Sequence, residues 1–112
     1  MMEAESDFAV SRARAGGAVV VTPVGEIDLS TVDLVRDELE AARGEATLVA
    51  LDLRAVTFID SAGIRLVVEG ARDLAADGGE LVVVRGGPEV TRVFGLVGLD
   101  GRVRMVDAPP GA

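Results

Sequence analysis

Cysteine, histidine, lysine, tyrosine and tryptophan are all absent from this 112-residue sequence. Without cysteine there is no disulfide, no thiolate nucleophile and no thiolate metal site. Without histidine there is no imidazole base, no Ser–His–Asp triad and no ordinary zinc site, and without lysine there is no amine to stand in as base. Three phenylalanines are the only aromatics, so the core must be built from Val, Leu, Ile and Ala, which suits a small sheet covered by helices. Nineteen acids stand against eleven arginines for a net charge of −8, and the acids are spread from Glu3 to Asp107. Nucleic-acid binding needs a basic stripe and rings for stacking, and an anionic membrane surface needs clustered cations, so both partners are excluded. No apolar run approaches the ~20 residues that span a bilayer. Residues 1–10 carry acids and lack an apolar stretch, which reads as no signal peptide. A cytoplasmic protein with no cofactor is expected, and its acidic, aromatic-poor surface favours a monomer.

What remains is a patterned single domain over residues 1–112, with 1–6 and 108–112 expected to fray. Residues 8–14 alternate weakly as an edge strand, and Gly16-Gly17 follows as a hairpin turn. Residues 18–24 are a β-branched strand with Pro23 near its end, and residues 25–29 read as a loop. A first helix spans 31–43, with Ser30 and Asp33 resembling a capping box and Val32, Val35, Leu39 and Ala42 as its apolar stripe. Residues 47–53 are nearly continuous apolar sequence, a strand covered on both faces. Residues 54–60 read as a tight connection into a second helix over 61–77. Its apolar face is expected to hold Ile64, Val67, Val68, Ala71, Leu74 and Ala75, and Arg65, Glu69 and Asp73 lie at i, i+4 spacing on the other. Residues 81–84 form a short strand. Pro88 opens a third helix with Val90, Val93, Phe94 and Val97 facing inward, and residues 103–106 form a last edge strand. The order β-β-α-β-α-β-α-β predicts an α/β fold with a mixed, mostly parallel sheet and helices packed on it.

The segment Phe58-Ile-Asp-Ser-Ala-Gly-Ile64 carries the chemistry. It places an Asp-Ser pair at the mouth of a helix and at the end of a strand. Ser61 is a natural N-cap, and Gly63 keeps the first turn free of a side chain. The same geometry suits a phosphoserine, because a phosphate there would meet backbone N–H groups and the positive end of the helix. It would add about −1.5 to −2 charges beside Asp60, and close to Glu26 and Asp28. A nucleophile elbow is excluded because Ile59 stands where Gly-x-Ser-x-Gly requires glycine. The loop at Gly86-Gly87 lacks the Gly-Lys-Ser/Thr of a P-loop.

Val56-Thr-Phe-Ile-Asp-Ser-Ala-Gly-Ile64, with Gly25-Glu-Ile-Asp28 before it and Arg92-Val-Phe-Gly-Leu-Val-Gly-Leu99 after it, resembles the STAS-domain anti-sigma factor antagonists of bacteria. The resemblance covers nearly the whole chain. It implies a sheet of four or five strands with helices packed on it, and it implies that Ser61 is the phosphoacceptor. Asp28 matches the acid of a partner-contacting loop and Asp60 matches the acid before the phosphoacceptor. Ala62 stands where many members carry a second hydroxyl. Glu26, Asp28, Asp60, Ala62, Gly63 and Arg65 are therefore the expected partner-binding residues. The partners implied are an ATP-dependent anti-sigma factor serine/threonine kinase, a PP2C-type serine phosphatase and, indirectly, a sigma factor. Regulatory binding without catalysis is the expectation. The same domain type also serves as an accessory subunit of membrane lipid-transport complexes and larger signalling assemblies, which is the competing reading.

Overall fold

A computed structural model describes residues 7–111, so the fraying expected of residues 1–6 and of Ala112 lies outside the described residues. Ten consecutive residues, Ala18–Ile27, form strand β2, and the sheet is organised around it. Ala9–Ala15 (β1) pairs with β2 as an antiparallel hairpin. Leu48–Asp52 (β3) and Glu80–Val84 (β5) follow in parallel, and Arg104–Val106 (β6) closes the far edge, giving the order β1-β2-β3-β5-β6. A further strand, Val56–Ile59 (β4), pairs with β2 alone. The expected mixed, mostly parallel sheet is therefore present, with a sixth strand inside the segment read as a connection. Residues 25–27, read as a loop, are the end of β2.

The division of labour along β2 follows from its sequence. Residues 18–21 pair with β3 and residues 25–27 with β4. Pro23, which has no N–H to give, lies between the two pairings. Gly25 has φ of 111°, a conformation that L side chains avoid, and the register with β4 shifts between Gly25 and Glu26.

The three helices are Val32–Arg43 (α1), Ser61–Ala76 (α2) and Pro88–Leu96 (α3), and a 3-10 turn covers Leu99–Gly101. Alternation along the strands splits the sheet into two faces. Val19, Val21, Val49, Leu51, Leu81 and Val83 lie in the main core with Val35 and Leu39 of α1, Leu66, Val67 and Leu74 of α2, and Phe94 of α3. Val20, Ala50 and Val82 form a small second cluster on the other face, with Ala15, Leu48 and Val106 packed against it. Residues 108–111, expected to fray, run back toward the β1–β2 turn, where a Cβ on Gly111 would lie 2.7 Å from the Ala15 carbonyl.

Several local expectations are corrected. The α2 stripe is shifted: Gly63, Leu66, Val67 and Leu74 are buried, Ile64, Val68 and Ala71 are half-buried, and Ala75 is exposed. No Arg65–Glu69 pair forms among the described residues; Glu69 instead meets Arg36 at 3.4 Å and Asp73 meets Arg43 at 3.7 Å, both across to α1. Val97, expected to face inward, is 54% exposed because α3 stops at Leu96 and Gly98 turns the chain with φ of 74°. Ser30 does not cap α1. Thr31 is the N-cap, without a side-chain cap bond.

Phe94 is the one phenylalanine that is fully buried. Phe94→Ala is expected to cost about 3–5 kcal/mol and Phe58→Ala, at a half-exposed ring, far less, read as midpoint shifts in urea unfolding. At the end of β3, Asp52 is 4% exposed. Burial pushes its carboxyl up, but the Arg54 guanidinium (2.9 Å to Oδ2) and the Arg54 N–H (3.0 Å to Oδ1) outweigh that and hold it below the ordinary value. A depressed folded pKa contributes stability that is present above the unfolded pKa and lost as pH falls through the folded one. Asp52→Asn is therefore expected to be less stable than the parent at neutral pH and to lose less stability below about pH 5, followed by thermal melts across pH.

Candidate functional site

Parallel strands end at the same level, and here β2 and β4 release two acidic turns side by side. Ile27 and Ile59 are register partners, and the Asp60 N–H donates to the Ile27 carbonyl at 3.2 Å. Asp28 and Asp60 thus follow directly from adjacent strand ends, the position where open α/β sheets commonly place their binding sites.

The Asp28 turn is held by its own hydrogen bonds. The Ser30 N–H and hydroxyl donate to Asp28 Oδ1 at 2.9 and 2.7 Å. The Thr31 hydroxyl, buried, donates to the Glu26 carbonyl at 2.7 Å and accepts from the Asp28 N–H at 3.0 Å. The Ser30 hydroxyl is the main cause that holds the Asp28 carboxyl below its ordinary value, against a smaller opposing effect of desolvation. Asp28 is therefore a fixed anion at neutral pH. Beside it, an open hollow of about 470 Å³ is lined by Asp7, Glu26 and Asp28 together with Phe8 and Val24.

The Asp60 turn corrects the expected cap. Asp60, not Ser61, is the N-cap of α2: its carboxylate accepts from the Ala62 N–H at 2.9 Å and the Gly63 N–H at 3.2 Å. A carboxylate at this end also faces the positive pole of the helix. Ser61 is the first helical residue and is exposed. Two of the N–H groups that a phosphate was expected to find free, those of Ala62 and Gly63, are already taken by Asp60. Gly63 has a stricter role than expected: a Cβ there would lie 2.5 Å from Ile59 Cγ1 and 2.9 Å from Ile27 Cγ2. Only glycine lets the first turn of α2 sit on the ends of both strands.

Glu26, Asp28, Asp60, Ser61, Ala62 and Gly63 are thus brought together, and Arg65 lies one turn further along the exposed side of α2. Sequence reasoning missed Thr31, whose hydroxyl locks the Asp28 turn; the Asp-x-x-Thr spacing is its signal. It also missed two apolar groups at this end, Leu29 at 80% exposure and Phe58 at 48%. Among the described residues no group of His, Cys, Asp or Glu is arranged to hold a metal ion, and no helix is long and apolar enough to cross a membrane.

Asp60→Ala is expected to destabilise the domain by about 0.5–2 kcal/mol, and Asp60→Asn, which can still accept both N–H groups, by little; thermal unfolding of the two variants checks this.

Residues 9–109 match the STAS domain family. The chain is 32% identical over 83 residues to an anti-sigma F factor antagonist of Lysinibacillus sphaericus, spanning 72% of this chain and 71% of that protein. Among solved structures it is similar to an anti-sigma factor antagonist from Mycobacterium paratuberculosis, with a TM-score of 0.84, 25% identity and coverage of 96% and 92% of the two chains. It is also similar to the Bacillus cell fate determinant SpoIIAA in its phosphorylated form, with a TM-score of 0.69, 28% identity and coverage of 92% of each chain.

Proposed function

The chain belongs to the STAS domain family, and on that premise we propose that it is an anti-sigma factor antagonist switched by phosphorylation of Ser61. Its unphosphorylated form binds an ATP-dependent anti-sigma factor serine/threonine kinase, which then releases a sigma factor. The kinase passes the γ-phosphoryl group of ATP to Ser61 Oγ, the hydroxyl proton is lost and ADP leaves. A PP2C-type serine phosphatase hydrolyses the phosphoserine with water, returning the hydroxyl and releasing inorganic phosphate. The chain itself acts by binding.

The observation that carries this reading is the exposed hydroxyl of Ser61 at the first helical position, with the capping of α2 assigned to Asp60. A cap serine would have its oxygen occupied by a first-turn N–H. Here the acceptor oxygen is accessible and the cap survives modification. Glu26, Asp28 and Asp60 supply a negative rim, Leu29 and Phe58 supply exposed apolar area, and the small side chain of Ala62 leaves the helix mouth low enough for a partner surface to approach. Charge-depleted centres with aromatic anchors and a charged rim are the usual anatomy of a protein interface.

A phosphate on Ser61 stands beside Asp60 and near Asp28 and acts by repulsion and desolvation rather than by refolding the domain. Arg65 holds no carboxylate among the described residues and lies at i+4, where helical side chains meet. It is the counter-charge nearest in sequence, and its engagement by the phosphate would remove it from the partner. An unpaired charge buried in the complex costs about 2–5 kcal/mol, about thirty-fold to several-thousand-fold in affinity.

The test is a paired capture from the native host's lysate with Ser61→Ala and Ser61→Asp as baits. The expected result is an anti-sigma factor kinase on the Ala form and its loss from the Asp form. Recovery of the same transporter subunit by both forms, or of a kinase bound equally by both, would overturn the switch.

A further inference from the structure

Arg12, Arg36, Arg43, Arg54, Arg85 and Arg104 each hold at least one carboxylate. Arg14, Arg65, Arg72, Arg92 and Arg102 hold none among the described residues, although the chain carries nineteen acids, and of these Arg72 and Arg102 stand together. They belong to different elements, α2 and the residue after the 3-10 turn, yet they line one open cavity of about 240 Å³. Its remaining walls are Val68, Ala71, Leu99 and Val103, which are buried or half-buried. Two guanidinium groups without carboxylate partners thus flank an apolar floor on an otherwise acidic molecule.

We infer that this groove docks an acidic amphipathic segment of a partner protein, with Arg72 and Arg102 each taking a carboxylate and an apolar side chain resting on the floor between them. Charge complementarity selects this occupant. A small free anion would gain little from two exposed guanidinium groups, because exposed ion pairs are weak on their own, and it would leave the apolar floor unused. A long polyanion or an anionic bilayer would have to approach a chain of net charge −8. A short segment meets only the local charge, in which Glu69 and Asp73 lie on the other side of Arg72 and the groove itself is lined by no acid; arginine beside apolar area is the composition favoured at interface hot spots. Arg72 lies eleven residues beyond Ser61, about 16 Å along the helix, so this site does not depend on the phosphorylation of Ser61.

The probe is an acetylated peptide of repeated Glu-Leu-Leu-Glu units, titrated into the full chain and followed by amide chemical shifts and by anisotropy at low and physiological salt. Shifts are expected at Val68, Ala71, Leu99 and Val103. Affinity is expected to fall at least about tenfold in Arg72→Glu/Arg102→Glu, to weaken as salt rises, and to persist in Arg92→Glu, an arginine outside the groove. The peptide with Gln in place of Glu should not bind. If the double variant fails to fold by circular dichroism, Arg72→Gln/Arg102→Gln serves in its place. No shifts at those residues at millimolar peptide, or equal loss in Arg92→Glu, would overturn the inference. So would the same shifts on concentrating the protein alone, which assigns the groove to a second copy, or binding of phosphatidylglycerol vesicles in place of the peptide.

Discussion

Strand β2 pairs in parallel with two strands in succession, and the geometry of the Ser61 end depends on where that change falls. Residues 18–21 engage β3 and residues 25–27 engage β4. The switch needs a residue that can forgo a ladder bond and one that can take positive φ, and Pro23 and Gly25 supply them. Because β2 and β4 run together to Ile27 and Ile59, the turns after them begin at the same height, and the Asp60 N–H to Ile27 carbonyl bond ties one to the other. Gly63 then lets α2 descend onto both isoleucines. A strand pairing, two glycines and a single backbone bond thus fix the relative placement of Asp28 and Ser61.

Within that frame, neighbouring residues divide two duties that a single residue could have shared. Asp60 accepts from the first-turn N–H groups, and Ser61 presents its hydroxyl outward. A carboxylate cap combines charge-assisted hydrogen bonds with the helix dipole. The consequence for the proposed switch is that covalent change at Ser61 leaves the helix terminus satisfied. What changes is local charge, in a turn where Asp28 is already held ionised by Ser30 and Thr31.

Much of this was legible in the sequence wherever a period ran long enough to be read. The twelve residues of α1 show the 3.6 spacing, and β3 and β5 show the unbroken apolar runs of strands covered on both faces. Strand β4 was not legible because its four residues alternate in no regular way: Val56 and Ile59 are buried while Thr57 and Phe58 between them are exposed. The cap of α2 was ambiguous for a chemical reason, since adjacent Asp and Ser are about equally good N-caps and only tertiary contact chooses. The buried stripe of α2 lies a step out of phase with its apolar pattern because Gly63 and Gly70, which carry no hydrophobic signal, face the strands and α1. Pairings such as Arg36–Glu69 cross 33 positions, and nothing local announces them.

Charge distribution connects the proposed docking features of the molecule. The side of the Ser61 end that faces β2 is acidic, with Asp7, Glu26 and Asp28 around one hollow. The side that follows α2 is basic: Ser61, Arg65, Val68 and Arg72 fall within one stripe, spaced four, three and four residues apart. A surface of uniform sign steers a partner but orients it poorly, whereas an acidic flank beside a basic stripe fixes the direction in which a complementary surface can lie. A phosphate placed where the two meet extends the acidic side and opposes the basic one. One modification can therefore alter the docking surface at the Ser61 end by charge alone, while Arg72, about 16 Å along the helix, and the core beneath, from Val19 to Phe94, stay as they were.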